Sequence, residues 1–313
     1  MNGTKNNRLR NIILITAAVA VVSLGIATAL FFAADVGGEW GPRHGLDVNE
    51  SRSFPIDQLD KIEVRTSSVD VLVVQSKTNS VDIHLHGTVY TGRSESIPTL
   101  AAESTGRVLK IETERKDGRT FFLGFYSDNL VLEIAVPAGY EKALNVHTGS
   151  GDVQISDQIL SELSVETGSG EIQIELVEAD NVTLDSSSGD QRLDHVAAAQ
   201  SSITSGSGEI RAQELEGGAR VKSSSGDITL RYRDFDADLE VHSGSGEVKL
   251  YLTHEAQFRL EAKASSGDIA CTFPITLAGA DSEMRRNRVM GVVGQGTHRV
   301  SVQTASGDID IQP

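Results

Sequence analysis

The sequence predicts an all-β protein: a parallel β-solenoid of about nineteen-residue coils, two short strands to a coil, behind one N-terminal transmembrane helix. Three observations carry that prediction. A Ser-Gly-acid turn recurs at near-constant spacing, apolar residues alternate with period two on both sides of it, and one long run near the N-terminus has no charge.

Residues 1–10 read as a polar cytoplasmic leader with Lys5, Arg8 and Arg10 and no acid. Residues 11–34 read as a signal-anchor helix. The uncharged stretch 12–34 spans about 34 Å as a helix, enough for a hydrocarbon core of about 30 Å. Basic residues ahead of an apolar run keep the N-terminus in the cytoplasm and place the C-terminal domain outside it. The length of the run favours an uncleaved single-pass anchor. Ala27-Thr28-Ala29 would serve a signal peptidase, so cleavage is the competing reading. No cysteine follows the run, which excludes a lipoprotein. Residues 35–58, with Gly37-Gly38-Glu39-Trp40-Gly41-Pro42, read as a linker.

The domain proper, 59–313, must fold with few rings and much glycine: aromatics make 5% of the 313 residues and Gly occurs 30 times. A core of Val, Ile and Leu on a tightly turning chain follows. Beyond the leader the chain holds 25 basic and 44 acidic residues, a net charge of −19, which argues against nucleic acid as a partner. A single cysteine excludes an intramolecular disulfide framework and a cysteine-built zinc site.

The turns fall at Gly151-Asp152, Gly170-Glu171, Gly189-Asp190, Gly208-Glu209, Gly226-Asp227, Gly246-Glu247, Gly267-Asp268 and Gly307-Asp308. The steps are 19, 19, 19, 18, 20, 21 and 40, the last being two periods with one copy missing. Val or Ile follows the acid in seven of the eight; Gln191 is the exception. Around the first turn Leu144, Val146, Val153 and Ile155 share a face, and the register repeats as far as Val300, Val302, Ile309 and Ile311. A less regular connection of about six residues completes each period. Earlier in the domain, Ile62 to Val73 fits the same register with Val69 in the glycine place. Less regular strands follow near 81–85, 108–111 and 130–136.

One such unit cannot bury its apolar face alone, whereas stacked units can. Equivalent residues would stack about 4.8 Å apart, so roughly thirteen coils would make a rod of about 60 Å. An antiparallel sandwich of hairpins is the competing topology; recurrence of one turn at one spacing favours the solenoid. The turn acids alternate strictly from Asp152 to Asp268, which predicts staggering of stacked like charges or duplication of a two-coil unit. Thr148, Thr167, Ser186, Ser205, Ser223, Ser243, Ala264 and Thr304 are placed inside, beside the turn. Cys271 falls at a core position.

Pro137-Ala138-Gly139-Tyr140, then Leu144, Val146 and Thr148 to Val153, resembles the bacterial putative-adhesin family of β-strand repeats. Gly294-Gln295-Gly296, Val300 to Thr304 and Ser306 to Ile309 resemble the close of the same domain, so the likeness covers about residues 60–313. It implies an exported or membrane-anchored stack of β-strand repeats and supplies no catalytic residue. The segment 272–298 departs from the pattern.

The acid row Asp152, Glu171, Asp190, Glu209, Asp227, Glu247 and Asp268 is the best candidate metal site, for calcium, because glycine turns bring carboxylates together, with His84 and His86 a conceivable metal pair behind it. One acid per nineteen residues is sparse for that ion. The simpler reading is that the acids cap and solubilise turns whose geometry glycine supplies. His84 and His86 share a strand face with no third ligand identifiable. Arg192, Arg211 and Lys249 read as a salt-bridged ladder sooner than as part of a polysaccharide-cleaving site. Phe121, Phe122, Phe125 and Tyr126 form an aromatic cluster, and Arg285, Arg286 and Arg288 a basic one. Both are candidate partner surfaces. The expected function is non-catalytic display at the cell surface or envelope, for adhesion or scaffolding. Partners would be the membrane, cell-wall polymer or envelope proteins, and open ends invite self-association. Alternatives are an accessory in envelope-stress signalling and, behind it, a polysaccharide-active enzyme.

Overall fold

The computed structural model describes residues 45–90, 97–114, 128–277 and 283–313. Every described strand joins one sheet system, and its central pairings are parallel. The expected transmembrane segment 11–34 and the aromatic cluster Phe121, Phe122, Phe125 and Tyr126 lie outside the described residues. No helix among the described residues is long and apolar enough to cross a membrane.

Stacking follows the predicted register. In the central run Val153–Thr167, Ile172–Ser186 and Gln191–Ser205 pair in parallel, residue for residue at a nineteen-residue offset (Ile155 on Ile174 on Leu193, Leu163 on Val182 on Ser201). Alternation then sends one side chain in two to the interior. Leu144, Ile155, Leu163, Ile172, Val221, Leu230, Val241, Leu250, Val302 and Ile311 are all buried. Each would contribute about 1.5–3 kcal/mol on removal from water.

The connection expected to be irregular is a strand. Val153–Thr167 runs unbroken from one turn to the next and bends at a single left-handed residue, Asp157, with φ of 54°. Leu176, His195 and Glu214 repeat that bend in the following coils. Each is skipped by the ladder on both paired strands at once, so the nineteen-residue offset is kept through the corner. None is glycine, so the corner carried no visible punctuation. After Ile228–Tyr232 the strands shorten and loops make this corner. There Tyr232, Phe235, Phe258 and Phe273 fill the interior edge to face, with centroids 5.1, 6.0 and 5.2 Å apart.

Spatial order departs from chain order at both ends. Leu239–Ser245 pairs with His298–Ser306, which pairs in turn with Phe258–Ser266. The coil at 298–312 therefore sits between the coils at 239–251 and 258–271. The forty-residue step is not a missing copy. The chain builds the outer coil first, adds the hairpin Glu283–Arg285 and Arg288–Val293 antiparallel on its edge, and returns to fill the inner place. The other end does likewise. Lys61–Thr66 lies between Ala143–Thr148 and Val108–Glu114. Asp70–Ser76 lies between residues 153–155 and Asp128–Pro137. Antiparallel strands then close this end, Thr99–Thr105 on one side and Ser80–Tyr90 with Gly45–Pro55 on the other.

Two expectations change accordingly. Instead of thirteen coils, nine turn-bearing coils stack among the described residues, because 80–137 builds mainly the cap. The second half of the expected linker is a strand, Gly45–Pro55, paired along its whole length with Ser80–Tyr90. Its apolar anchors are sparse, chiefly buried Val48 and partly buried Phe54, so it lacks a strand's alternation.

Candidate functional site

The turn row is the most regular chemical feature of the surface, and three residues build each turn. The glycine is needed for closeness. A Cβ on Gly189 would lie 1.8 Å from the carbonyl oxygen of Gly170, and one on Gly208 would lie 2.1 Å from that of Gly189. Val69 occupies the glycine place where the row begins.

The inward hydroxyl ties the turn from beneath, as its predicted position requires. Gly151 N–H donates to Thr148 Oγ1 at 3.0 Å and Gly170 N–H to Thr167 Oγ1 at 2.9 Å. Ser205 Oγ accepts from Gly208 N–H at 2.9 Å and donates to Gly208 O at 3.1 Å. From Gly226 onward the same sequence adopts another turn. Gly226, Gly246, Gly267 and Gly307 have φ of 138°, 129°, 141° and 138°. Three of their N–H groups donate to a neighbouring coil, Gly226 to Ser245 O and Gly246 to Ser306 O at 3.0 Å and Gly307 to Ser266 O at 2.9 Å; Gly267 is on the outermost coil. The hydroxyls of Ser243 and Thr304 are left buried without a partner, and Ala264 replaces one altogether.

The acid row resolves into two roles. Asp152 Oδ1 accepts the backbone N–H of Glu171 at 2.8 Å, Asp190 Oδ1 that of Glu209 at 2.9 Å, and Asp227 Oδ1 that of Glu247 at 2.8 Å. Asp70 does the same for Asp152, and Asp308 for Asp268. The glutamates turn sideways to cations: Glu171 to Arg192, Glu209 to Arg211 and Glu247 to Lys249 at 2.7 Å. The alternation thus has a more specific cause than staggered charge. An aspartate is short enough to cap the next coil's N–H, whereas a glutamate reaches past it to the ladder of bases. Along the stack Glu247 is followed by Asp308, and Asp268 comes last, paired with Arg286.

Arg192, Arg211 and Lys249 therefore belong to that ladder. Arg285, Arg286 and Arg288 sit on the end hairpin, exposed; Arg286 O accepts the Ile269 N–H at 2.8 Å, and Arg288 Nη2 approaches Met290 Sδ at 3.3 Å. Cys271 pairs with Ile311 as the register required, but it lies on the outermost coil and is only half-buried. Burial pushes its thiol pKa up, which disfavours the reactive thiolate.

The histidine pair gains a third member that the sequence did not show. Among the described residues, the ligand atoms of His84, His86 and Glu133 lie within 4.8 Å of one another, the one such set of three. Glu133 faces His84 across the antiparallel pair of Ser80–Tyr90 with Asp128–Pro137. Only that pairing could reveal it.

Coils stacked in parallel and closed by a hydroxyl–glycine–acid turn define the class of protein, a β-solenoid of short strand repeats. Residues 59–312 match the Toastrack DUF4097 family model, and the chain belongs to that family. Among solved structures it is similar to a putative adhesin from Bacteroides fragilis, 15% identical over 84% of this chain and 97% of that one, with a TM-score of 0.50. It is also similar to a putative adhesin from Parabacteroides distasonis (11%, 86% and 98%, TM-score 0.44). A third, a putative lipid binding protein from the same species, matches at 16% over 83% and 96%, TM-score 0.40. None of the curated proteins matches the chain. Pro137-Ala138-Gly139-Tyr140, part of the family resemblance, is structural. Tyr140 is buried, and its hydroxyl donates to Ala143 O at 2.7 Å, fastening the cap to the first central coil.

Proposed function

We propose that the chain is a non-catalytic scaffold of the bacterial envelope, anchored by residues 11–34 and displaying the solenoid outside the cytoplasm for adhesion. The observation that carries this reading is the state of the acid row. Asp152, Asp190 and Asp227 are engaged as backbone caps, and the glutamates and Asp268 as ion pairs with neighbouring bases. Groups so engaged maintain a regular charged surface, whereas acid–base catalysis needs a group poised to exchange a proton with substrate. The basic leader and uncharged run support export, and the adhesin label of the Bacteroides fragilis relative is extended to this chain as part of the proposal. The end hairpin with Arg285, Arg286 and Arg288 is the partner surface we assign for anionic envelope polymer.

The test has two arms. Protease added to intact cells should remove the domain from the full chain and leave the anchor behind. The solubilised full chain should co-sediment with cell-wall or membrane fractions. Binding lost in chelator and restored by calcium but not by zinc would give the acid row a calcium-binding role; binding indifferent to calcium would leave the row to turn capping. Protection from protease would refute external display. Failure to sediment in either condition would refute adhesion and turn the search to protein partners in the membrane, as the signalling alternative requires.

A further inference from the structure

We infer that His84, His86 and Glu133 form a binding site for a divalent transition-metal ion, zinc by ligand type, on the outer face of the N-terminal cap. His84 and His86 alternate with buried Ile83 and Leu85 on one strand, so both rings face outward together, with centroids 4.5 Å apart. Glu133 stands opposite His84 on the neighbouring strand. A two-residue step on one strand and one residue across the pair set three donors on rigid, paired backbone, on one face.

The spacing suits an ion better than it suits direct contact. His86 Nε2 and Glu133 Oε2 are 3.6 Å apart, long for a hydrogen bond. Two donors each about 2.0–2.1 Å from one tetrahedral zinc ion would stand roughly 3.3 Å apart. His84 is already oriented. Its Nε2 lies 3.0 Å from Asn49 Oδ1, an acceptor, so Nε2 carries the proton and Nδ1 keeps the free lone pair. Asn49 comes from Gly45–Pro55, so that added strand completes the site's outer shell. Two imidazoles and one carboxylate favour zinc or a neighbouring first-row ion over calcium, which takes oxygen ligands. Beside His84 and Glu133 a groove of about 470 Å³, lined also by Ser51, Arg52, Ser53 and Asp82, leaves room for a water or an external ligand to complete the coordination. The site is independent of the adhesive reading and of the acid row.

The full chain, freed of any histidine tag, would be titrated with Co²⁺ and followed by visible absorption, then displaced with Zn²⁺. One equivalent with the intense bands of a low-coordinate Co²⁺ ion is expected. His84→Gln or His86→Gln should weaken binding by about 100-fold, and Asn49→Ala by about 10-fold through loss of ring orientation. Zinc should also raise the melting temperature of the parent chain and leave that of the folded His86→Gln variant unmoved. Absence of the cobalt bands, or a stoichiometry and affinity unchanged in a folded His84→Gln/His86→Gln chain, would overturn the assignment.

Discussion

The coils before and after residue 226 carry the same turn sequence and solve it differently. Up to Gly208 the inward hydroxyl binds the glycine N–H from within its own turn. From Gly226 onward the glycine rotates to positive φ, and Gly226, Gly246 and Gly307 give that N–H to the next coil. The opposite corner changes near the same place, from a bent continuous strand to loops over an aromatic cluster. The ladder drops a residue between Ala197 and Gln200, where the offset passes from nineteen to eighteen. A local motif therefore specifies where the chain turns, and the neighbouring coil specifies how.

The sharpest way to probe this comparison is through the close contact both halves share. Gly189→Ala would force a methyl against a backbone oxygen that cannot retreat without shifting a whole coil, so a loss of about 3 kcal/mol is expected in urea unfolding. Gly139→Ala, with nothing near its Cβ, should change stability by less than about 0.5 kcal/mol. Equal effects at the two positions would refute the stacking argument.

The hydroxyls separate the halves more finely. Ser205→Ala removes two hydrogen bonds and strands the Gly208 N–H, for a loss of about 1–2 kcal/mol. Ser243→Ala removes a buried oxygen with no partner and should leave the urea midpoint unchanged or raise stability by up to about 1 kcal/mol. A matching loss in both variants would mean that the two turns are energetically one.

The smallest effect belongs to the bent corner. Leu176 holds a left-handed conformation that costs a leucine about 1–2 kcal/mol, and its side chain is half exposed. Leu176→Gly should gain about 0.5 kcal/mol after the added chain entropy is counted. A loss measured by thermal unfolding would show that this side chain packs usefully after all.

Much of this was legible. Alternation about the turn placed Val153, Ile155, Leu163 and Val165 inside, and Thr148 and Ser186 beneath the turn, because period two and a repeated glycine are local signals. Gln191, the exception in the pattern, still occupies the core site, with its amide nitrogen on Thr204 O and its oxygen unpaired. The bent corner was hidden because Asp157, Leu176, His195 and Glu214 share no residue type. Spatial order was hidden because equal spacing does not say which coil lies beside which. Glu133 was hidden because a ligand contributed across a sheet has no sequence spacing to the histidines it joins.

The interleaving at the two ends governs how such a protein can change in length. A plain solenoid gains a rung by duplicating its outermost unit. Here the segment 298–312 is clasped on both sides, as are 61–66 and 70–73 at the other end. A copy appended after either would find both edges of that segment already taken. Duplication within the uniform stretch from 143 to 225 would lengthen the stack without disturbing either end, and folding must bring 239–245 and 258–266 close enough to receive a strand met much later in the chain, a slow closure of widely separated contacts. The ends act as clasps, and the number of rungs is set in the middle.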